Sequence, residues 1–151
     1  MDLSGGVVAS IRGAEEISLY SRPEPFAEEE ELEVGETLFA GWRISVRKVS
    51  RYEPEDAARP EVAYLDAARG PYRVRTAREG DTIRALGLGG TKKVLRAMMD
   101  RKVPRDLRRR TPVVVSASGE VAWIPTGELG ERFKVDESTE RMLRLEVEKA
   151  P

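Results

Sequence analysis

The sequence predicts an α+β fold that is rich in strands and β-sandwich-like, with one or two short helices. Apolar and polar residues alternate in several short segments, which is the pattern of strands that bury one face. A single longer segment, residues 91–102, places its apolar side chains at helical spacing instead. At 151 residues, the chain is long enough to bury a substantial hydrophobic core.

Strands are predicted along the first half of the chain. Residues 42–49 and 72–76 alternate between apolar and polar side chains, and residues 62–66 form a short apolar run. Residues 7–10 and 17–20 flank a polar turn and are predicted to pair as a hairpin. The acidic run at residues 28–31 and the polar stretch at 51–60 are interpreted as loops.

The second half begins with the predicted helix, whose apolar stripe is Val94, Leu95, Met98 and Met99. Pro104 ends this helix, and residues 105–110 are predicted to add one further turn. Three strands follow. The first two, 113–115 and 121–124, form a hairpin, and the last covers 142–147. Within these strands, Trp42 and Trp123 are predicted to pack in the core rather than to stack on bases.

Composition excludes several classes of chemistry. The chain contains no cysteine and no histidine. Thiolate chemistry and disulfides are therefore excluded, and so are the side chains on which most zinc sites and neutral-pH acid–base catalysts depend. We predict no catalytic centre and no cofactor in this chain. No window approaches the roughly 18 consecutive apolar residues of a membrane span, so we expect a cytoplasmic protein without a membrane partner.

Charge is segregated along the chain although the net charge is only −1. Residues 1–70 contain 8 Lys/Arg and 15 Asp/Glu, residues 71–111 contain 13 and 4, and residues 112–151 contain 5 and 8. We therefore divide the chain into an acidic strand-rich segment, 1–70, and a domain at 71–151, leaving open whether the two pack as one unit. The basic block could bind phosphate, pair with the acidic flanks, or be solvated.

A glycine-rich segment leads into the predicted helix. Gly87-Leu88-Gly89-Gly90 is followed by Thr91, Lys92 and Lys93. Free backbone N–H groups at a helix start attract phosphate, glycines allow close approach, and the lysines add charge. The alternative is an ordinary glycine loop in which Thr91 is the N-cap residue. Spacing alone leaves both interpretations open.

Two further groups of cations follow the same logic. Residues 101–110 hold a dense run of Lys and Arg around Pro104, and arginine forks suit phosphates and guanine edges. The alternative is a solvated helix end, where cations complement the helix dipole. Arg75, Arg78 and Arg84 surround Asp81, which could pair with one of them and stiffen the loop.

From Tyr72 onward, the sequence resembles the C-terminal domain of bacterial tRNA(Ile)-lysidine synthetases. The resemblance covers roughly residues 72–147, about half of the chain, with many elements in the expected order. The motifs that carry it are Val74-Arg75-Thr76, Gly80-Asp81-Thr82-Ile83-Arg84, Gly87-Leu88-Gly89-Gly90-Thr91-Lys92-Lys93, Asp100-Arg101-Lys102-Val103-Pro104, Arg110-Thr111-Pro112-Val113-Val114-Val115, Gly119, Trp123 and Gly127. More loosely, Leu3-Ser4-Gly5-Gly6-Val7 is similar to the start of the family's C-terminal region.

The resemblance implies a function that composition alone does not. Enzymes of this family use ATP and Mg to adenylate an anticodon cytidine of tRNA(Ile) and then attach lysine, a C–N bond-forming ligase reaction. That chemistry belongs to an N-terminal ATP-pyrophosphatase domain, which we do not find in this chain. The family's C-terminal domain holds the tRNA, including its acceptor stem, and its fold is similar to a region of the phenylalanyl-tRNA synthetase β subunit.

The expected partners are therefore tRNA(Ile) and the N-terminal catalytic domain of the same enzyme. The charge pattern and the resemblance together give the following candidate tRNA-binding residues: Arg75, Arg78, Arg84, Gly89, Gly90, Thr91, Lys92, Lys93, Arg96, Arg101, Lys102, Arg105, Arg108, Arg109 and Arg110. The alternative is a protein–protein module, for example one that forms a homodimer, in which the basic block pairs with acidic segments of residues 1–70.

Overall fold

A computed structural model of the chain describes residues 29–150, except 88, 109 and 126. The hairpin predicted at residues 7–10 and 17–20, and the family-like segment at 3–7, lie outside the described residues. No helix in the described part of the chain is long and apolar enough to cross a bilayer.

Strands dominate the described residues, and their helices are short. The strands are β1 (Glu30–Glu31), β2 (Gly35–Phe39), β3 (Trp42–Val49), β4 (Val62–Asp66), β5 (Arg73–Thr76), β6 (Thr82–Ile83), β7 (Lys92–Lys93), β8 (Pro112–Val115), β9 (Val121–Ile124), β10 (Glu128–Leu129) and β11 (Met142–Lys149). The α-helices are α1 (Pro54–Ala57), α2 (Val94–Asp100) and α3 (Arg105–Arg108), with 3₁₀ turns at Ala67–Arg69 and Glu131–Phe133.

These strands form two main antiparallel sheets and one ribbon. Sheet A has the order β10-β9-β8-β5-β1, and sheet B has the order β2-β3-β11-β4. The ribbon pairs β6 with β7. Strands from both sides of residue 70 share each main sheet, because β1 pairs with β5 in sheet A while β11 lies between β3 and β4 in sheet B.

The core between the sheets is built from alternate residues of their facing strands. Val74, Val114 and Trp123 of sheet A pack with Ile44 and Leu145 of sheet B, and each is at most 1% exposed. This alternation follows from the two-residue period of a strand, which sends successive side chains to opposite faces. The predicted core role of Trp123 is confirmed, and Trp42 packs against the same core while partly buried.

A second core lies on the other face of sheet A. Val113 and Val115 point away from sheet B and pack with Ile83 of the ribbon and with Val94 and Met98 of α2. The molecule therefore has three layers: sheet B, sheet A, and a covering of helix and ribbon. The predicted strand-rich α+β class, β-sandwich-like with few short helices, is confirmed, and the third layer adds to it.

Most predicted strands are confirmed, and two loop predictions are wrong. Strands β3 and β4 match their predicted bounds, while β11 continues two residues beyond 147. The acidic run contributes β1, since Glu30 and Glu31 pair with Val74 and Arg73. The polar stretch at 51–60 contains α1, which starts at Pro54, a residue suited to a first helical turn. The edge strand β2 was not predicted.

Candidate nucleic-acid interface

The candidate binding residues are concentrated in one segment, residues 77–110, which we call the outer layer. This segment leaves sheet A after β5 and returns at β8, and those two strands are hydrogen-bonded neighbours. Buried Ile83, Val94 and Met98 fix one side of the segment to sheet A. The outer layer contains 11 Lys/Arg and 4 Asp/Glu, a net charge of +7, and we call the exposed Lys and Arg side chains of this layer the cationic surface.

Arg75 lies beneath the outer layer, in contrast to the prediction that it faces phosphate. Its side chain is 8% exposed. It donates two hydrogen bonds to Asp81, from Nη1 to Oδ2 at 2.8 Å and from Nη2 to Oδ1 at 3.0 Å. The amide of Arg78 donates to Asp81 Oδ2 at 2.7 Å, and the amide of Val94 donates to the Asp81 carbonyl oxygen at 2.9 Å. Arg75 therefore fixes the outer layer to sheet A.

The charge state of Asp81 supports this structural role. Burial of the carboxyl group raises the pKa of Asp81, but hydrogen bonds from Arg75 and from the Arg78 amide outweigh it and leave that pKa lowered. Asp81 is therefore ionised at neutral pH and holds Arg75 as a bidentate ion pair. The sequence left open which of three arginines pairs with Asp81, and the structure shows that it is Arg75.

The predicted start of the helix at Thr91 is wrong, so both interpretations of the glycine-rich segment lose the helix N-terminus on which they depend. Helix α2 begins at Val94, and Lys92–Lys93 are extended because they pair with Ile83 and Thr82 in the ribbon. Thr91 is therefore exposed in a loop and does not cap the helix, while the capping position is taken by Lys93 without a side-chain cap. Gly89 adopts a φ of +76° within the loop, and Gly90 lies beside it. These residues offer loop backbone rather than a helix dipole.

The apolar stripe of α2 also differs from the prediction. Val94, Ala97 and Met98 are buried, whereas Met99 is 50% exposed. Because the helix starts three residues later than predicted and has only seven residues, its buried face is narrower.

Besides Arg75, three candidate cations form ion pairs within the protein, and together they share two carboxylates. Lys92 Nζ lies 3.3 Å from Glu128 Oε2 and 3.4 Å from Asp100 Oδ2. Arg101 Nε lies 3.5 Å from the same Glu128 oxygen, and Arg96 Nε lies 3.5 Å from Asp100 Oδ1. The side chain of Glu128 is only 12% exposed, so its carboxylate is well placed to hold two cations. Lys92, Arg96 and Arg101 therefore carry less free charge than the sequence suggests.

Gly127 lies close to the guanidinium of Arg101. Gly127 has a φ of +110°, and a Cβ atom built there would lie 2.9 Å from Arg101 Nη1. A side chain at position 127 would therefore be strained by the backbone conformation, and the end of the Arg101 side chain would have to move. Neither this contact nor the Glu128 ion pairs could be predicted from local sequence, since they join residues separated by about 26 to 36 positions along the chain.

The remaining candidate cations form the free part of the surface. These side chains have no carboxylate within 4.0 Å in the described part of the chain: Arg78, Arg84, Lys93, Lys102, Arg105, Arg108 and Arg110. Six of them are exposed, while Arg108 is half-buried and its Nε donates to the Val103 carbonyl oxygen at 2.9 Å. Arg109 lies outside the described residues. The cationic surface is therefore smaller than predicted, yet it remains within one layer.

Lys102 reaches this surface from an unusual backbone conformation. It follows α2 with a φ of +62°, in the left-handed region where glycine is normally found. The amide of Lys102 donates to the Met99 carbonyl oxygen at 2.9 Å, and the amide of Val103 donates to that of Met98 at 2.9 Å. These two bonds define a Schellman motif. A lysine at this position costs backbone energy that a glycine would not.

The chain is similar to proteins of known family and structure. A family model described as the TilS substrate C-terminal domain matches residues 72–147. A solved structure described as the crystal structure of the TilS C-terminal domain superposes with a TM-score of 0.70 and 30% sequence identity. The superposition covers 82% of this chain and 97% of that one.

Curated relatives match over a similar region. The tRNA(Ile)-lysidine synthase of Dehalococcoides mccartyi (strain CBDB1) is 37% identical over 114 residues, which cover 74% of this chain and 24% of that protein. The tRNA(Ile)-lysidine synthase of Bacillus cereus (strain ZK / E33L) is 34% identical over 124 residues, which cover 80% of this chain and 26% of that protein. The chain therefore spans about a quarter of the length of these relatives.

Proposed function

This chain belongs to the TilS substrate C-terminal domain family, and from that premise we propose that it holds tRNA(Ile) for a catalytic domain of the same enzyme. On this proposal, the catalytic domain uses ATP and Mg²⁺ to attach lysine to an anticodon cytidine. On the same proposal, the chain described here supplies binding and orientation. The complex would act in the cytoplasm, where tRNA is modified.

The observation that supports RNA binding most directly is the free part of the cationic surface. Lys93, Lys102, Arg105 and Arg110 are exposed and belong to one layer, and no carboxylate neutralises them among the described residues. Cations without internal partners gain most from an external polyanion, because binding breaks no existing ion pair. The net charge of +7 over the outer layer strengthens this attraction.

We propose that the part of the tRNA bound by this surface is the acceptor stem, as the family resemblance implies. An A-form duplex presents two phosphate strands and a shallow groove lined by 2′-hydroxyls, which proteins recognise largely by shape. Arginine forks at Arg105 and Arg110 can each engage a phosphate with two donors, whereas Lys93 and Lys102 provide point charges. Such contacts position an RNA without reading its bases.

A salt titration tests this function. If about six cations contact phosphates, the logarithm of the association constant for tRNA(Ile) should fall with the logarithm of salt concentration with a slope of roughly −4 to −5. Lys93→Ala should weaken binding by about threefold to fivefold and reduce the magnitude of the slope by about one. Arg47→Ala is the matched control, because Arg47 is an exposed cation on the outer face of sheet B.

The alternative, a protein–protein module without RNA binding, makes the opposite prediction. It requires the basic block to pair with acidic segments of residues 1–70. Among the described residues, Arg73 and Glu29 form the ion pair that joins these regions, with Arg73 Nη1 at 3.3 Å from Glu29 Oε2. If the chain does not bind tRNA, or if its association constant for tRNA does not depend on salt concentration, our proposal is contradicted and this alternative is favoured. A homodimer stays a prediction, for which sedimentation analysis is the direct measurement.

A further inference from the structure

A groove of about 380 Å³ lies at one edge of the sandwich. It is lined on one side by β4, the edge strand of sheet B, and by Tyr52 from the preceding loop. Leu129 of β10, the edge strand of sheet A, lines the other side together with Leu86 and Arg101 from the outer layer. The groove therefore borders the outer layer, the segment that we propose to bind RNA.

The walls of the groove expose apolar surface. Tyr52 is 46% exposed and Leu86 is 49% exposed, and both belong to the small set of large hydrophobic side chains that the described residues leave in water. Tyr52 packs edge-on against Tyr64, with ring centroids 5.1 Å apart and an interplanar angle of 71°. This contact orients the Tyr52 ring while leaving much of it free for another flat group.

Cations surround these apolar walls. Arg59, Arg101 and Lys134 line the groove, and its described lining includes no Asp or Glu. Each cation has a carboxylate partner outside the lining, such as Glu128 for Arg101 at 3.5 Å and Glu131 for Lys134 at 2.7 Å. Because these carboxylates already offset much of the positive charge, the groove would attract a free phosphate only weakly. A nucleotide suits the groove better, since its base can contact the tyrosine while its phosphate faces the cations.

We propose that this groove receives an unpaired nucleotide of the single-stranded 3′ tail that follows the bound RNA duplex. This inference rests on the proposed function, because Leu86 and Arg101 connect the groove to the surface that would hold the duplex. An acceptor stem ends in such an unpaired tail. Stacking on an aromatic ring is tolerant of sequence, so the groove would recognise the presence of a tail rather than its bases.

Three RNA hairpins of one duplex sequence test the inference on the whole chain: one with a blunt end, one with a short single-stranded 3′ tail, and one with an abasic tail of equal length. The tailed hairpin should bind about tenfold more tightly than the blunt one, within the range of one base–aromatic stack. The abasic tail has the same phosphates without bases, so it should give little of this gain. An equal gain from the abasic tail would overturn the proposal.

Substitutions at Tyr52 locate the effect. Tyr52→Ala should remove the gain from the tail while leaving the affinity for the blunt hairpin unchanged, and Tyr52→Phe, which keeps the ring, should retain the gain. Leu86→Ala provides a second test should Tyr52→Ala disturb the fold, and it should reduce the gain without removing it.

The possible failures are distinguishable. If none of the hairpins binds, the proposed function itself fails. If blunt and tailed hairpins bind equally well, RNA binding stands, but the groove does not receive the tail and is left to another occupant, such as a segment of the parent enzyme. A gain that survives both Tyr52→Ala and Leu86→Ala would place the tail elsewhere on the protein.

Discussion

The outer face of sheet B and the outer layer on sheet A are both densely charged, but Arg144 of sheet B and the exposed cations Lys93 and Arg105 of the outer layer differ in how they are paired. On sheet B, Arg144 is 8% exposed and donates to Asp56 from Nε at 2.6 Å and from Nη2 at 2.9 Å, and to Glu146 from Nη1 at 2.9 Å. In the outer layer, Lys93 and Arg105 are exposed and have no carboxylate within 4.0 Å among the described residues.

Charge density alone therefore does not identify a binding surface. Each nitrogen of the Arg144 guanidinium donates to a carboxylate of the protein, so these ion pairs stabilise the fold. Asp56 also accepts a hydrogen bond from the Tyr64 hydroxyl at 2.8 Å, which ties α1 to the sheet. Unpaired cations, in contrast, contribute little to folding and keep their full charge for a partner. Three predictions test this contrast.

The largest expected effect is on stability. Arg144→Ala would leave the half-buried carboxylate of Asp56 without its main partner and should lower the free energy of unfolding by about 2–4 kcal/mol. Arg105→Ala, in the outer layer, removes an exposed cation without a partner and should change it by less than about 0.5 kcal/mol. Urea unfolding of both variants measures the difference. Equal losses would show that the two regions do not differ in the way described.

Acid should act on sheet B in a defined pH range. Hydrogen bonding to Arg144 holds the pKa of Asp56 well below its usual range despite partial burial. A carboxyl group with a lowered folded-state pKa stabilises the protein above its unfolded pKa of about 4, and that stability is lost as the pH falls further. We expect the wild type to lose about 1–2 kcal/mol from this group below about pH 4.

Asp56→Asn isolates that contribution. The variant should be less stable than the wild type at neutral pH, and the gap between the two should narrow as the pH falls below about 4. Urea unfolding at a series of pH values measures the gap. A gap that stays constant down to the acid limit would mean that Asp56 does not titrate as the geometry implies. Asp81 is present in both proteins, so its own lowered pKa cancels in the comparison.

The sequence predicted strands better than it predicted the start of α2. Alternation identified β3, β4 and the hairpin of β8 with β9, because a strand with one buried face has a period that is visible locally. The start of α2 could not be found in this way. Lys92 and Lys93 are good helix formers, but they are extended by pairing with Thr82 and Ile83, about ten residues earlier in the chain.

The sequence named the candidate cations individually, but it could not show which of them pair with carboxylates of the protein. Residues 71–111 contain 13 Lys/Arg, and 11 of these belong to the outer layer. Their pairing was not predictable, because Glu128, which holds Lys92 and Arg101, comes from a different strand. Burial of Arg75 was equally hidden, since it depends on how the outer layer folds over β5.

The smallest predicted effect concerns Lys102, where stability and binding should change in opposite directions. Lys102→Gly removes the cost of a left-handed backbone conformation at a side-chain-bearing residue, and the Schellman hydrogen bonds from positions 102 and 103 are backbone bonds that glycine keeps. We expect a gain of about 0.5–1 kcal/mol in the free energy of unfolding. The same change removes a free cation, so affinity for tRNA should fall by about twofold to fivefold.

Lys102→Ala separates the two effects. It removes the same charge but keeps a Cβ atom in the left-handed conformation, so it should show the same loss of affinity without the gain in stability. Thermal unfolding and tRNA titration of both variants give the four values needed. If glycine stabilised the protein and left binding unchanged, Lys102 would be a strained helix end with no part in the cationic surface. If both variants lost affinity equally and only glycine gained stability, the backbone cost at this position would be the consequence of placing a charge where RNA binds.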